Sequence, residues 1–362
     1  MPKTHTKSAS EEENRKATLL PLENDDDELA RTRHASRLKY EPQTGTIERG
    51  HIYFFYRPKV QLKGARSLDE VQNFHMLLVP RPPQFSACGA RNLKEGEDPD
   101  EMEVLTPGAD AIPAHEPLDQ PKKHFRLITV GKKHLPNPKV GGPGKGRKEM
   151  FWATVTVVGD DLTSLEQGLG ERTYETKTRG LRHQESARLL GRGAYAIVNN
   201  DPEVPSHRET HFGYHLSHPS ELGEVQEAFG IEKAGSFVLQ IKNPLAPATE
   251  SGYVHEQSAV YGDEILHHVF GKGVKGRSPC GLHFTSCVTP ELLDYEHAQL
   301  LLIAAKGGEE GLETSLGEGR GRALAELEEQ EADESVETIF KELGMDASTF
   351  PPQQPVEEGE WI

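Results

Sequence analysis

Arg49-Gly50-His51-Ile52-Tyr53-Phe54-Phe55-Tyr56-Arg57-Pro58-Lys59-Val60 decides the fold class, because five consecutive positions carry an isoleucine and four aromatics before a proline stops the run. Side chains of that kind favour a pleated, half-buried strand, and proline cannot continue a sheet ladder. Similar runs recur outward from it at Phe74–Val79, Phe125–Val130, Phe151–Val158, Ala194–Val198, His211–His215, Ser236–Ile241, Leu282–Val288 and Leu300–Ala305. Most end at Gly, Pro or Asn. Helical spacing is confined to short segments, Leu162–Leu169, Leu222–Phe229 and Ile265–Phe270. Connections this short favour antiparallel pairing over crossover helices. The expected fold is mostly β (α+β), antiparallel sheets with a few short helices.

Two halves share an order of features. Arg49-Gly50 leads to a strand ending at Pro80, the Phe125 strand, Phe151–Val158 and a short helix. Arg192-Gly193-Ala194-Tyr195 leads to a strand ending at Pro219, a strand ending at Lys242-Asn243-Pro244, Leu282–Val288 and a turn or helix at Pro290–His297. Either an internal duplication or ordinary β grammar produces this order, and the sequence leaves both open. The expected organisation is a disordered tail over 1–47, a first β-rich half over 48–170, a second over 171–306 and an acidic helical arm over 307–362. An insertion at 86–121, with nine acids and two bases, is expected to be a surface loop.

Charge is sorted along the chain. The net formal charge is −17, yet residues 122–148 hold nine Lys/Arg and no acid, while 307–362 hold sixteen acids and three bases. Such sorting creates a local positive field and an acidic arm able to cover it. In the arm, Val336, Ile339, Phe340 and Leu343 share a helical face, so docking onto the core is expected over a free recruitment peptide. No apolar run approaches the roughly 20 residues that span a bilayer. Lys3 and Lys7 are followed by Glu11-Glu12-Glu13, so no secretory leader is expected. Cys88, Cys280 and Cys287 lack C-x-x-C spacing and read as reduced structural thiols, consistent with a cytoplasmic or nuclear protein.

Motifs for chemistry are weak. His207, His211, His215 and His218 suggest a metal site, but on a strand His211 and His215 stand roughly 13 Å apart, too far for one ion. Gly141-Gly142-Pro143-Gly144-Lys145-Gly146-Arg147 misses the phosphate-loop spacing, and no nucleophile elbow is present. No cofactor and no metal is therefore expected. The distinctive string is Tyr174 to His183 at the junction of the halves, where Lys177, Arg179, Arg182 and His183 alternate with threonines. These side chains suit phosphate or carboxylate groups. Pairing with Glu171, Glu175 and Glu185 to brace the junction is the competing reading. Lys132, Lys133, Lys145 and Arg147 of the basic stretch are the second anion-binding candidates, suited to nonspecific polyanion contact.

The strings at 49–60, 174–183, Gly223-Glu224-Val225-Gln226 and Lys242-Asn243-Pro244 resemble a family of uncharacterised, mainly fungal proteins often described as BTB domain transcription factors. The likeness runs from about residue 49 to 306. That description implies a compact helix-rich α/β unit, whereas these residues read as strands; no site residues carry over from it. The expected function is a non-enzymatic intracellular binding or scaffold protein whose basic surface meets an anionic ligand, protein or nucleic acid, with the arm competing for it. The alternatives are a hydrolase or phosphorylated-metabolite enzyme at the 174–183 junction, and a nucleic-acid- or chromatin-associated factor.

Overall fold

Nearly unbroken burial along strands this rich in aromatics, as on Gly45–Pro58 and Arg188–Asn199, demands two covered faces, and a closed barrel supplies one of them as its lumen. The computed structural model describes residues 40, 42–81, 124–139, 148–204, 207–247, 257–345 and 354–362. Most of the expected N-terminal tail and the whole of the 86–121 insertion lie outside these residues. Residues 42–362 form one unit. The strands are β1 Gly45–Pro58, β2 Val71–Pro80, β3 Phe125–Val130, β4 Met150–Gly159, β5 Arg172–Thr176, β6 Gly180–Gln184, β7 Arg188–Asn199, β8 Thr210–His218, β9 Ala234–Lys242, β10 Phe284–Ser286 and β11 Gln299–Gly307. β1 thus begins three residues before the expected boundary at 48.

Eight of these strands close into an antiparallel barrel in the order β1-β2-β3-β4-β11-β9-β8-β7 and back to β1. The mostly β, antiparallel expectation holds; closure is the additional finding. β9 closes the ring by pairing β11 through Leu302↔Leu239 and β8 through Phe212↔Phe237. β10 continues the β8 edge of β9, with Phe284 opposite Lys242. Closure leaves no long unpaired edge among these strands. Each half contributes four barrel strands, β1–β4 and β7, β8, β9, β11. Like strands meet at both seams, β1 with β7 and β4 with β11.

Close approach at each half's first hairpin needs a glycine. A Cβ on Gly50 would drive into the Val79 carbonyl oxygen, and one on Gly193 into that of His215. The two glycines therefore stand in like positions, opposite Pro80 and Leu216.

Aromatic rings fill the lumen, as the width of an eight-stranded barrel allows. Phe54 meets Phe74 on the neighbouring strand, and reaches Tyr214 across β7 at 5.2 Å between centroids. At one end Tyr56 stacks on Phe229, and the Trp361 ring meets both, edge-on to Tyr56 and tilted to Phe229. Eight residues away along β1, Glu48 holds the other end with a buried ionic cluster: Arg126 bonds Glu48 and Asp294 at 2.6 Å each, and Tyr195 donates to Glu48 at 2.8 Å.

Helices cover much of the outside. α1 (Leu165–Leu169) and α6 (Val336–Glu342) pack on Tyr53, Phe55, Leu77 and Leu127. α2 (Glu224–Ala228) carries Phe229 to the barrel end, and α3 (Asp263–His268) lies within the β9–β10 connection. α4 (Glu309–Leu316) and α5 (Arg320–Glu331) cover Ala194, Ala196 and Ala234, with Gly213 leaving room for Leu312 and Leu316. α7 (Gln354–Glu357) leads into the last residues, where Val225 N–H donates to the Gly359 carbonyl. Among the described residues no helix is long and apolar enough to cross a membrane.

Candidate functional site

The 174–183 junction is not a loop. Its alternating Thr, Tyr and charged residues form the two-stranded ribbon β5–β6, with Tyr174 opposite Arg182 and Thr173 opposite His183. A buried arginine clamps its base: Arg57 donates to the carbonyls of Gly170 and Glu185, which flank the ribbon, and to Gly168. Burial, with Arg172 nearby, pulls the Arg57 guanidinium down to about 10. Gln61 N–H donates to the His183 carbonyl, and Gln184 bonds Gln72.

The candidate side chains divide along the ribbon. His183 lies between Glu171 at 3.3 Å and Glu185 at 3.0 Å, and Arg182 bonds Gln61. Bracing therefore accounts for these two. Lys177 and Arg179 occupy the exposed turn, where only the Arg179 backbone is engaged, donating to Thr176 Oγ1. Neither side chain has an ion pair among the described residues. Tyr174 is 43% exposed and Leu181 68%. On the Tyr174 face, Arg172 and Arg182 flank the ring. The ribbon tip is thus an open cationic and aromatic surface, held by a rigid base.

The basic stretch 122–148 does not form one patch. Arg126 is inside the barrel, Lys133 donates to the Val71 carbonyl at 2.6 Å, and Lys139 pairs with Glu232 at 2.9 Å. Lys132 and Lys148 are exposed, and Lys122, Lys123, Lys145 and Arg147 lie outside the described residues. Of the histidines, His211 and His215 project from the outer face of β8 toward Glu209 and Glu309, and His218 bonds Ser217 and the Glu334 carbonyl.

The acidic arm meets different cations from those the sequence suggested. Arg192, fully buried on β7, pairs with Glu331 at 2.6 Å, Glu334 at 3.2 Å and Glu342 at 3.3 Å. His51 Nδ1 accepts from Arg81 at 3.1 Å, and its Nε2 lies within hydrogen-bond reach of both Glu331 at 3.1 Å and the Arg192 guanidinium at 3.2 Å. Burial first, and Arg192 second, hold that imidazole down at about 4. Burial raises Glu331, but the His51 hydrogen bond and the two guanidinium charges bring it down to about 2. Glu328, 1% exposed, lies beside the Ser217 hydroxyl without a hydrogen bond of good geometry, and burial pushes its carboxyl up to about 8 against the pull of Arg192. The sequence reading missed this cluster. Its signal was arginine inside an otherwise apolar strand, Arg188 to Asn199, since a buried guanidinium requires a carboxylate from elsewhere.

No family model, no curated protein and no solved structure matches the chain. What the ribbon and the arm do must therefore be argued from their own chemistry. Cys287 is buried with its thiol raised by burial, which suits a packed side chain better than a nucleophile.

Proposed function

We propose that the protein is a non-catalytic binding or scaffold protein acting inside the cell, and that the β5–β6 ribbon holds an anionic partner. The observation that supports this reading is the pair Lys177 and Arg179, exposed at a clamped turn without ion pairs among the described residues, whereas Arg126 and Arg192 are neutralised within the fold. An unpaired, positioned guanidinium offers a planar fork for phosphate or carboxylate, and Tyr174 adds an amphipathic contact. Free Cys280 and Cys287 accord with a reducing compartment.

The test is binding of the full chain to polyphosphate across a salt series. Lys177→Glu with Arg179→Glu should lower affinity and reduce the slope of log affinity against log salt by about 2, one for each cation removed. Unchanged affinity and slope in that variant would exclude the ribbon as the contact.

A further inference from the structure

Between Ile265 and Thr289 the chain has no acid, although it carries Lys272, Lys275 and Arg277 in a protein of net charge −17. The loop Gly271–Ser278 turns on Gly271, Gly273 and Gly276, whose φ angles of 72°, 77° and 87° suit glycine alone. Lys272 is held by Asp263 at 2.8 Å. Lys275 and Arg277 are exposed, with no ion pair among the described residues. The loop's ends are fixed: Leu282 N–H donates to the Phe270 carbonyl, and Asn243 donates to those of Cys280 and Leu282. Two residues after Leu282, β10 begins at Phe284.

Phe284 faces outward on a part of the barrel that carries aromatic rings. Strand register sets Trp152, Leu301, Gln240 and Ser286 in one outer row, and Thr154, Gln299, Lys242 and Phe284 in the next. Trp152 and Phe284 are three strands apart, about 14 Å at the backbone. Their ring centroids are nevertheless 5.8 Å apart, so both side chains lie along the sheet toward each other. The Lys242 ammonium sits 5.7 Å from the indole and donates to Gln299. Met150, 48% exposed, stands two residues before Trp152 on the same face of β4. Part of this arrangement covers Leu301, which ordinary packing explains. It does not explain why a lysine and an acid-free cationic loop adjoin the rings in an acidic protein.

We propose that this outer face of β4, β9 and β10, with the Gly271–Ser278 loop, binds single-stranded nucleic acid. Bases stack on Trp152 and Phe284, and Lys242, Lys275 and Arg277 meet the phosphates. Stacking on flat rings beside a cationic track is the chemistry of sequence-tolerant single-strand binding, whereas a duplex hides its base faces. This surface is separate from the ribbon, and its test separates the two.

The chain has two tryptophans, Trp152 and Trp361, so a full-length Trp361→Phe variant reports on Trp152 alone. An oligothymidylate of about 12 nucleotides, within the span of one binding site, should quench that emission. Phe284→Ala should weaken binding about tenfold, in the range of one lost stacking contact. Lys275→Glu with Arg277→Glu, in an exposed loop that tolerates substitution, should weaken it and flatten the salt dependence. Polyphosphate should leave the emission unchanged. Absence of quenching by the oligonucleotide would overturn the proposal, as would quenching that both variants leave intact. Binding abolished only by the ribbon variant, with Trp152 emission unmoved, would assign all polyanion affinity to the ribbon.

Discussion

Arg192 and Arg179 carry the same guanidinium, and the fold treats them in opposite ways. Arg192 is sealed beneath α5 and α6, among carboxylates more than 130 residues further along the chain, while Arg179 stands in solvent at a turn. The linear pattern of charge does not distinguish the two, because closure of the barrel and docking of the arm decide which cations are neutralised. A cation on a strand interior becomes a structural charge; one on a hairpin turn remains available.

Arg192→Met breaks that comparison most strongly. Removing one partner of a buried pair leaves uncompensated charge and typically costs about 3–5 kcal/mol. Three carboxylates lose a partner here, so chemical denaturation should show a loss in that range. A loss below about 1 kcal/mol would mean that the arm docks by its apolar face alone, through Ile339, Phe340 and Leu343.

The pH profile of stability comes next, because the groups beneath the arm titrate with opposite signs. Glu331 folds with its carboxyl lowered to about 2, so its stabilisation is present above about 4.5, the ordinary glutamate value, and fades as pH falls toward 2. His51 is lowered to about 4 and acts the same way, its contribution fading as pH falls from about 6.5. Glu328 is raised to about 8, so between about 4.5 and 8 the folded protein retains a proton that the unfolded chain releases, and stability falls as pH rises through that window. It faces Arg192, Glu331, Arg81 and Ser217, and Lys233 lies near it. Below about 6.5 this fall with rising pH is offset by His51, so the net slope shows between about 6.5 and 8 and is at most about 1.4 kcal/mol per pH unit. Glu328→Gln should remove that slope and leave the limb below about 4.5 intact. A slope that persists would place the responsible proton elsewhere.

The glycine pair sharpens a second comparison, between the halves. Gly50→Ala and Gly193→Ala each force a methyl group against a neighbouring strand, an overpacking that should cost about 1–3 kcal/mol. Equal losses by thermal melting would support like roles for the two hairpins. A large difference would show that the first-strand positions are not interchangeable.

How much was legible follows from the same physics. Dense β-branched and aromatic runs such as Ile52 to Tyr56 identify strands locally, and Ser335 before an apolar stripe identifies α6, whose N-terminus Ser335 caps by accepting from Thr338 N–H. Closure was not legible, since the pairing of β9 with β8 and β11 lies in register and not in composition. The 174–183 segment hid its strands because neither face of the ribbon is deeply buried, so hydrophobic alternation is missing. Helices α4 and α5 were hidden by their many acids and glycines, although Leu312, Leu316 and Leu324 mark their buried face. Of the site, Lys177 and Arg179 were legible as exposed cations. Arg126, counted with the basic stretch, was not legible as a lumen residue, because its partners Glu48 and Asp294 are distant in sequence.

The smallest expected effect on stability belongs to the ribbon tip, and it bears most directly on function. Lys177→Glu with Arg179→Glu touches no network of buried groups among the described residues, so folding free energy should change by no more than about 0.5 kcal/mol. The ribbon's base, fixed by Arg57 to the Gly170 and Glu185 carbonyls, should keep the turn in place. A near-zero change in the melting transition, together with lost polyphosphate binding, would place the two roles of basic residues in separate regions of the molecule. A loss approaching that of Arg192→Met would mean instead that the tip is structurally engaged, and the contrast between a neutralised seam and a free turn would not hold.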